Sequence, residues 1–554
     1  MSFRKYRGVS NEAFRRLAHL PTLLLLVGYP VYWFELFFSK NHYGQTSLLA
    51  FILFATGSIL HILQAKSLKE TESVDSELAK QKLTTKVLWI CGILAGFFIL
   101  TCVFLASLLP PHLIQESDAM NYHITLPRQH LILHSFQHLP WAADDLFLLP
   151  IQFALAPFWL ATELPNKFPQ FLFFIGLILV AVNLMGWWSS KKIQSVLMVT
   201  FAILGSHHLG IQMGTAMLDI VICYLFLAAI DSILQKNVGL ATVEFTFFFW
   251  SKSLIPIQAL LLIVLMVSLF FIMRKLGWKI IKMGFSDTTE DFLQRINTQF
   301  FKKFILGFFL LSIAVGGPFV VKSLYYSGTP LFPVAPGLFK INREIDYDST
   351  WWHSLKQASE IWTNEQARDQ YGHGRSPMAL MKHFWFIAVP EKGVNNAFDY
   401  PVGLPYLIVL GPFIYLFWLA LHRREFVVIP WLIVISWFLW WEGTQQTRYL
   451  YIPTTLMFIM VLSQIKDYSK ILVGAMTVAL FLNALSVFRA HRHDLGRVPL
   501  AVLREKDQML VKMNKEYILK NRSDVVNIDF HDAAFAQFPV RVVRESLPHT
   551  LALE

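Results

Sequence analysis

The chain has 554 residues, of which 55% are apolar and only 15% charged, with a mean hydropathy of +0.48. A soluble chain of ordinary composition carries about 25% charged residues, so this one cannot cover a water-facing surface. That excludes a soluble enzyme, a nucleic-acid-binding domain, a disordered chain and a collagen-like fibre, and leaves an all-α integral membrane protein. The net charge of +11 comes from 48 Lys+Arg against 37 Asp+Glu. Cytoplasmic loops of membrane proteins collect this kind of surplus, so no nucleic-acid partner is expected.

Taken in chain order, the basic start Arg4-Lys5-Tyr6-Arg7 precedes an apolar run that begins only at Leu20. That run is too long for a cleavable signal peptide. A helix needs about 20 apolar residues to cross about 30 Å of hydrocarbon. Runs that meet or approach this lie at 20–38, 46–64, 86–109, 168–189, 194–213, 217–234, 237–251, 254–273, 304–322, 403–420, 426–441, 449–464 and 471–488. They predict a helical bundle of about 13 spans.

Lys/Arg-rich stretches at the N-terminus, 65–86, 274–303, 422–424 and 466–470 are expected on the cytoplasmic side. The opposite side then receives 39–45, 110–147, 323–402, 442–448 and the tail after 489. Lys191-Lys192 also reads as cytoplasmic, so an odd number of crossings separates it from 110–147. The run 148–162 is short and carries Pro150 and Pro157, so it reads as a re-entrant or interfacial helix. Segment 276–301, with Trp278, Ile280, Ile281, Met283 and Phe285 among lysines, predicts an interfacial amphipathic helix.

Three units follow: 1–85, a basic segment with a transmembrane hairpin; 86–488, the membrane core with outer loops 110–147 and 323–402; and 489–554, a polar tail on the outer side. Cys91, Cys102 and Cys223 all lie in apolar runs and match neither a disulfide framework nor a metal pattern. No His-x-x-x-His or carboxylate pairing specifies a metal site, and no cofactor is expected.

Ionisable residues in or beside spans are costly and usually face a cavity or a partner. The densest group is the loop after the third span, Gln115-Glu116-Ser117-Asp118 through Tyr122-His123 to Pro127-Arg128. On a helix, Asp118 and Tyr122 share a face. A carboxylate there could take a proton from an attacking hydroxyl, or simply cap an interfacial helix that Tyr122 and His123 anchor. Asp219 stands at the outer start of a span, either as a first-turn acid or as a lining group of the same cavity as Asp118. His207 and His208 read as structural. Lys252, Lys322 and Arg448 all fall at outer span ends, where each could snorkel to headgroups or jointly hold a lipid phosphate.

In order and spacing, these residues resemble the GT-C superfamily of membrane glycosyltransferases, which includes the protein O-mannosyltransferases and the aminoarabinose transferase acting on lipid A. The matching elements are Asp118…Tyr122-His123…Pro127, then Asp219, Lys252, Gly328-Thr329-Pro330-Leu331-Phe332-Pro333 and Arg448-Tyr449. They cover roughly 86–465. Thr329 stands where the family usually has Asn, and the spans 20–38 and 46–64 precede the family's first span.

The resemblance implies a multi-pass protein of the bacterial inner membrane with its site facing the periplasm. It implies a polyprenyl-phosphate-linked sugar as donor and a glycan, lipid or protein hydroxyl as acceptor, with inversion at the anomeric carbon. Asp118 is then the general base. Lys252 and Arg448 would stabilise the departing phosphate, and Tyr122, His123, Arg128, Asp219, Lys322 and Tyr449 would bind substrate. The residues alone also admit a transporter or flippase of a lipid-linked or small polar substrate, or a non-enzymatic assembly factor.

Overall fold

The computed structural model describes residues 12–38, 43–63, 83–109, 119–139, 143–161, 166–188, 193–281, 298–332, 372–389, 400–443, 445–465, 468–496, 525–527 and 541–543. Asp118, most of the outer segment 323–402 and nearly all of the tail after 496 lie outside these residues.

The protein is helical, with two short parallel strand pairs. The N-terminal part holds α1 (Glu12–Ala18), α2 (Leu20–Phe38), α3 (Tyr43–Leu63) and α4 (Leu83–Ser107). Next come α5 (Thr125–Leu133), α6 (Pro150–Trp159), α7 (Phe168–Trp188), α8 (Ile193–Gly205) and α9 (His207–Gln212). The middle is α10 (Asp219–Leu234), α11 (Val238–Phe249), α12 (Ile255–Lys275), α13 (Thr298–Val315) and α14 (Gly317–Ser327). The remainder is α15 (Pro377–Phe386), α16 (Leu404–His422), α17 (Val428–Glu442), α18 (Tyr451–Gln464) and α19 (Lys470–Gly496). Among the described residues, seven helices are long and apolar enough to cross a membrane: α2, α4, α7, α12, α13, α16 and α19. Four shorter apolar helices accompany them.

Burial sorts these helices by their neighbours. The central helix α18 is buried from Pro453 to Ser463, and α6 is buried at every position. By contrast, only 11% of the apolar stretch of α12 and 6% of that of α13 are buried, although both are largely apolar. A helix apolar on every face that is not covered by protein needs lipid as its solvent. The first helix of the N-terminal hairpin joins the core: Leu24, Leu25, Tyr32 and Leu36 of α2 are all 1% exposed or less. Gly28 permits this, because a Cβ there would sit 1.9 Å from the carbonyl oxygen of Ala154 on α6. Small residues let membrane helices approach this closely.

Three local departures from the sequence expectation have clear causes. The run 194–213 breaks at Ser206, which adopts extended φ/ψ. The freed backbone groups are taken up by Asn483, whose amide donates to the carbonyls of Leu204 and Ser206, while the His207 N–H donates to Val402. Such a break inside apolar surroundings survives only when neighbouring helices satisfy it in this way. The run 304–322 divides at Gly316 between α13 and α14, with Pro318 in the first turn of the new helix.

The amphipathic helix expected over 276–301 is corrected over 276–281, while 282–297 lie outside the described residues and 298–301 open α13. Gly277 takes φ +75 and ends α12, and Lys279–Ile281 form β1, paired in parallel with β2 (Glu425–Val427). A left-handed glycine just past a helix terminates it. The segment 148–162 forms the ten-residue α6. At 1.5 Å per residue it is about 15 Å long, half the hydrocarbon thickness, and it is enclosed by protein rather than laid on an interface.

Candidate functional site

The antiparallel pair α10–α11 organises the chemistry, with one polar group at each end. At the first end, Asp219 opens α10, where the helix dipole favours a carboxylate. Lys252 lies just beyond α11, in the turn before α12, whose second residue is Pro256. The turn is held by Ser253, whose hydroxyl donates to the carbonyl of Phe332 and accepts the N–H of Leu148. Lys252 Nζ meets Asp219 Oδ1 at 2.5 Å, with the carboxylate 5% exposed and the ammonium 22% exposed. Gln212 donates to the other oxygen, Oδ2, at 3.4 Å.

Arg448 arrives on the 3-10 turn Thr447–Leu450, which precedes α18. Its Nε donates to Gln446, and the Tyr449 ring lies 5.6 Å from its guanidinium and 5.5 Å from Lys252 Nζ. Two cations thus lie within reach of one aromatic ring. Arg448 and His123 are both within electrostatic reach of Asp219.

Asp219, Lys252, Arg448 and Tyr449 line a cavity of about 150 Å³. The remainder of its wall is largely apolar: Phe226, Phe245, Phe248, Leu262, Ile263 and Leu439 among others. Ile263 is 49% exposed on the lipid-type surface of α12, so the cavity wall runs out to that surface. Charge at one end and grease along the rest suit an amphiphile with an anionic head. Among the lining residues two cations face one carboxylate, which favours phosphate over an ammonium headgroup.

The first outer loop approaches this end. Ala119–His123 form a π-helical turn closed by Ile124 N–H to Ala119 C=O at 3.0 Å. Half-buried Tyr122 packs against the rings of His123 and Phe147, and His123 is buried with its Nδ1 accepting from Gln152 on α6 at 3.1 Å. Arg128 is buried on α5, and neither it, Tyr122 nor His123 belongs to the cavity lining. Asp118 immediately precedes Ala119 but lies outside the described residues.

Lys322 is placed elsewhere. Its Nζ, only 4% exposed, pairs with Asp145 at 2.7 Å, contacts His130 Nε2 at 3.0 Å and lies over the Phe136 ring. Asp145 also meets His130 at 2.6 Å and His138 at 3.2 Å, and accepts the Leu139 N–H at 2.8 Å. Burial works against its charge, yet Lys322 and His130 hold its carboxyl well below the usual range. Burial, and then the Lys322 ammonium, push His130 down, while burial above all pushes His138 down. His130 Nδ1 donates to the Ser135 carbonyl, and its Nε2 lies 2.6 Å from Asp145 Oδ1 and 3.0 Å from Lys322 Nζ.

The other end of α10–α11 holds a network that sequence reasoning did not single out. His19, between α1 and α2, sets Nδ1 2.7 Å from Glu244 and Nε2 3.1 Å from Asp231. Ser232 and Thr22 donate to Glu244, while Asn183, Trp187 and Gln235 donate to Asp231. Burial opposes the imidazolium, but the two carboxylates hold it, raising the His19 pKa to about 10. The signal was present: Asp231 and Glu244 are carboxylates inside apolar runs. Their partner lies more than 200 residues earlier.

Among the described residues, no cluster of three or more His, Cys, Asp or Glu could hold a metal ion. Comparison with protein-family models, with curated proteins and with solved structures returns no match.

Proposed function

We propose that this chain is a membrane glycosyltransferase of the GT-C type, a bundle of about 13 spans that uses a polyprenyl-phosphate-linked sugar. The carrying observation is the cavity in which Asp219, Lys252, Arg448 and Tyr449 meet from three separate stretches of chain above an apolar wall. The donor phosphate sits against Lys252 and Arg448, and the first part of its isoprenoid follows the apolar wall toward α12. The site faces the periplasm from the inner membrane, in keeping with the basic loops at the opposite ends of the spans.

In the reaction an acceptor hydroxyl oxygen attacks the anomeric carbon. The bond from that carbon to the phosphate oxygen breaks, and the electron pair leaves with the lipid phosphate. The hydroxyl proton passes to Asp118, which needs only its ordinary ionised form. Lys252 and Arg448 stabilise the charge gathering on the leaving phosphate. Asp219 holds Lys252 in place and, with Tyr122 and His123, orients the sugar. Asp118 directly precedes the π-helical turn that brings His123 within reach of Asp219, which supports its assignment as base.

The test is transfer from a labelled polyprenyl-phosphate sugar in membranes. Lys252→Met and Asp118→Asn should each cut transfer at least 100-fold. Full transfer by Asp118→Asn removes Asp118 as base. Flux of the lipid across proteoliposomes with no covalent product would replace the transferase with a flippase.

A further inference from the structure

Two buried amides stand beside the acid of the cavity, and each has one end unmet. Gln212 is 4% exposed; its Nε2 donates to Asp219, and its Oε1 is buried with no partner. Gln152 is 1% exposed; its Nε2 donates to His123, which is itself within reach of Asp219, and its Oε1 is likewise buried with no partner. They come from different elements, α9 and α6: Gln212 bonds Asp219 directly and Gln152 reaches it through His123, both outside the residues that line the cavity itself. A buried carbonyl oxygen without a donor is expensive, so native proteins rarely leave one without a reason.

A phosphate brings acceptor oxygens and no donors at neutral pH, so it cannot satisfy these amides. Hydroxyl groups can, because each O–H donates one hydrogen bond. We propose that Gln152 and Gln212 form the recognition face for the hydroxyls of the donor's sugar ring, with Lys252 and Arg448 taking the phosphate. The assignment rests on the transferase reading and adds to it a direction for the donor and the residues that select its sugar. A site built to bond a hydroxyl rejects an analogue lacking it far more strongly than an apolar pocket rejects a missing methylene.

The test compares binding of bare polyprenyl phosphate with polyprenyl-phosphate-linked mannose, glucose and galactose to the full-length protein in nanodiscs. Wild type should hold at least one glycosylated lipid 10-fold or more tighter than the bare lipid. In Gln212→Met and Gln152→Met, which keep length and lose the carbonyl, that preference should fall below 3-fold. Affinity for bare polyprenyl phosphate should move less than 3-fold, which a merely structural loss would not allow. An unchanged preference in both variants overturns the assignment, as does a parallel loss of affinity for the bare lipid. Transfer is measured on the same samples. Preference without transfer keeps the recognition face and removes the transferase, whereas transfer with unaltered preference in the variants does the reverse.

Discussion

Two buried clusters in this protein use the same ingredients and push their histidines in opposite directions. Around His19, two carboxylates face one imidazole, one at each ring nitrogen, and the ring is a cation. Around Asp145, two imidazoles face one carboxylate, but the Lys322 ammonium has already supplied the counter-charge, and both rings are pushed down. Burial disfavours charge in both places. What differs is whether a cation other than histidine is available. A buried histidine is therefore read from the full set of partners, not from its nearest carboxylate.

The largest expected effect comes from removing that deciding cation. Lys322→Met leaves Asp145 buried without its main counter-charge, a loss worth about 3–5 kcal/mol. Thermal unfolding in detergent measures it. The His130 pKa should rise in the variant, visible in the pH titration of its ring resonances. Adding Asp145→Leu should recover much of the lost stability, since an apolar replacement of a buried pair is often near neutral. If Lys322→Met unfolds within about 1 kcal/mol of wild type, the contrast between the clusters is gone.

The clusters should also respond to pH in opposite directions. His19 has a folded pKa of about 10 against an unfolded value near 6.5. Its contribution is complete below about pH 6.5 and is lost as pH rises toward 10. His130 and His138 are depressed, so below about pH 6.5 the unfolded chain takes up protons that the folded protein refuses, and stability falls. Asp145 reinforces that acid limb below about pH 4, where the unfolded carboxylate begins to protonate. Melting temperature followed from pH 4 to 10 should therefore fall on both sides. His19→Gln should flatten only the alkaline side and His130→Gln only the acid side. A swap of those two outcomes would reverse the charge assignments.

Gly28→Ala tests the contact that brings His19 to its carboxylates. The added methyl meets the Ala154 carbonyl and the Phe158 ring, and neither α2 nor α6 can shift without disturbing the core. Overpacking of this kind costs about 1–3 kcal/mol. The alkaline side of the pH profile should weaken along with the overall melting temperature, because α2 begins directly after His19.

The apolar runs made the helices legible, since hydropathy and span length are local properties. Asp219, Lys252, Arg448 and Tyr449 were legible as a set because each stands at a span end, where a charge is conspicuous. The His19 network was not, although Glu244 and Asp231 were visible as internal acids, because their cation sits more than 200 residues away in a short linker. Lys322 read as an interfacial cation for the same reason: Asp145 lies 177 residues before it. The breaks at Ser206 and Gly316 follow from packing against Asn483 and from Pro318, which mean hydropathy averages away. Asp118 remains a reading of the sequence, since the described residues begin one position after it.

The smallest effect separates hydrogen bonding from charge within the His19 cluster. The Thr22 hydroxyl donates to Glu244 Oε1 at 2.9 Å and lies 2.9 Å from the Tyr224 hydroxyl, which itself donates to the Ala18 carbonyl. Thr22→Val keeps the shape and removes one donor to a carboxylate that retains Ser232 and His19. The expected cost is about 1 kcal/mol, with the alkaline limb of the pH profile unmoved, because the imidazolium keeps both of its carboxylates. A shift of that limb to lower pH in Thr22→Val would mean that Glu244 depends on the threonine to hold the charge on His19. The cluster would then be a polar network in which no single pair dominates, and its contrast with the lysine-centred cluster would rest on hydrogen bonding rather than on the count of charges.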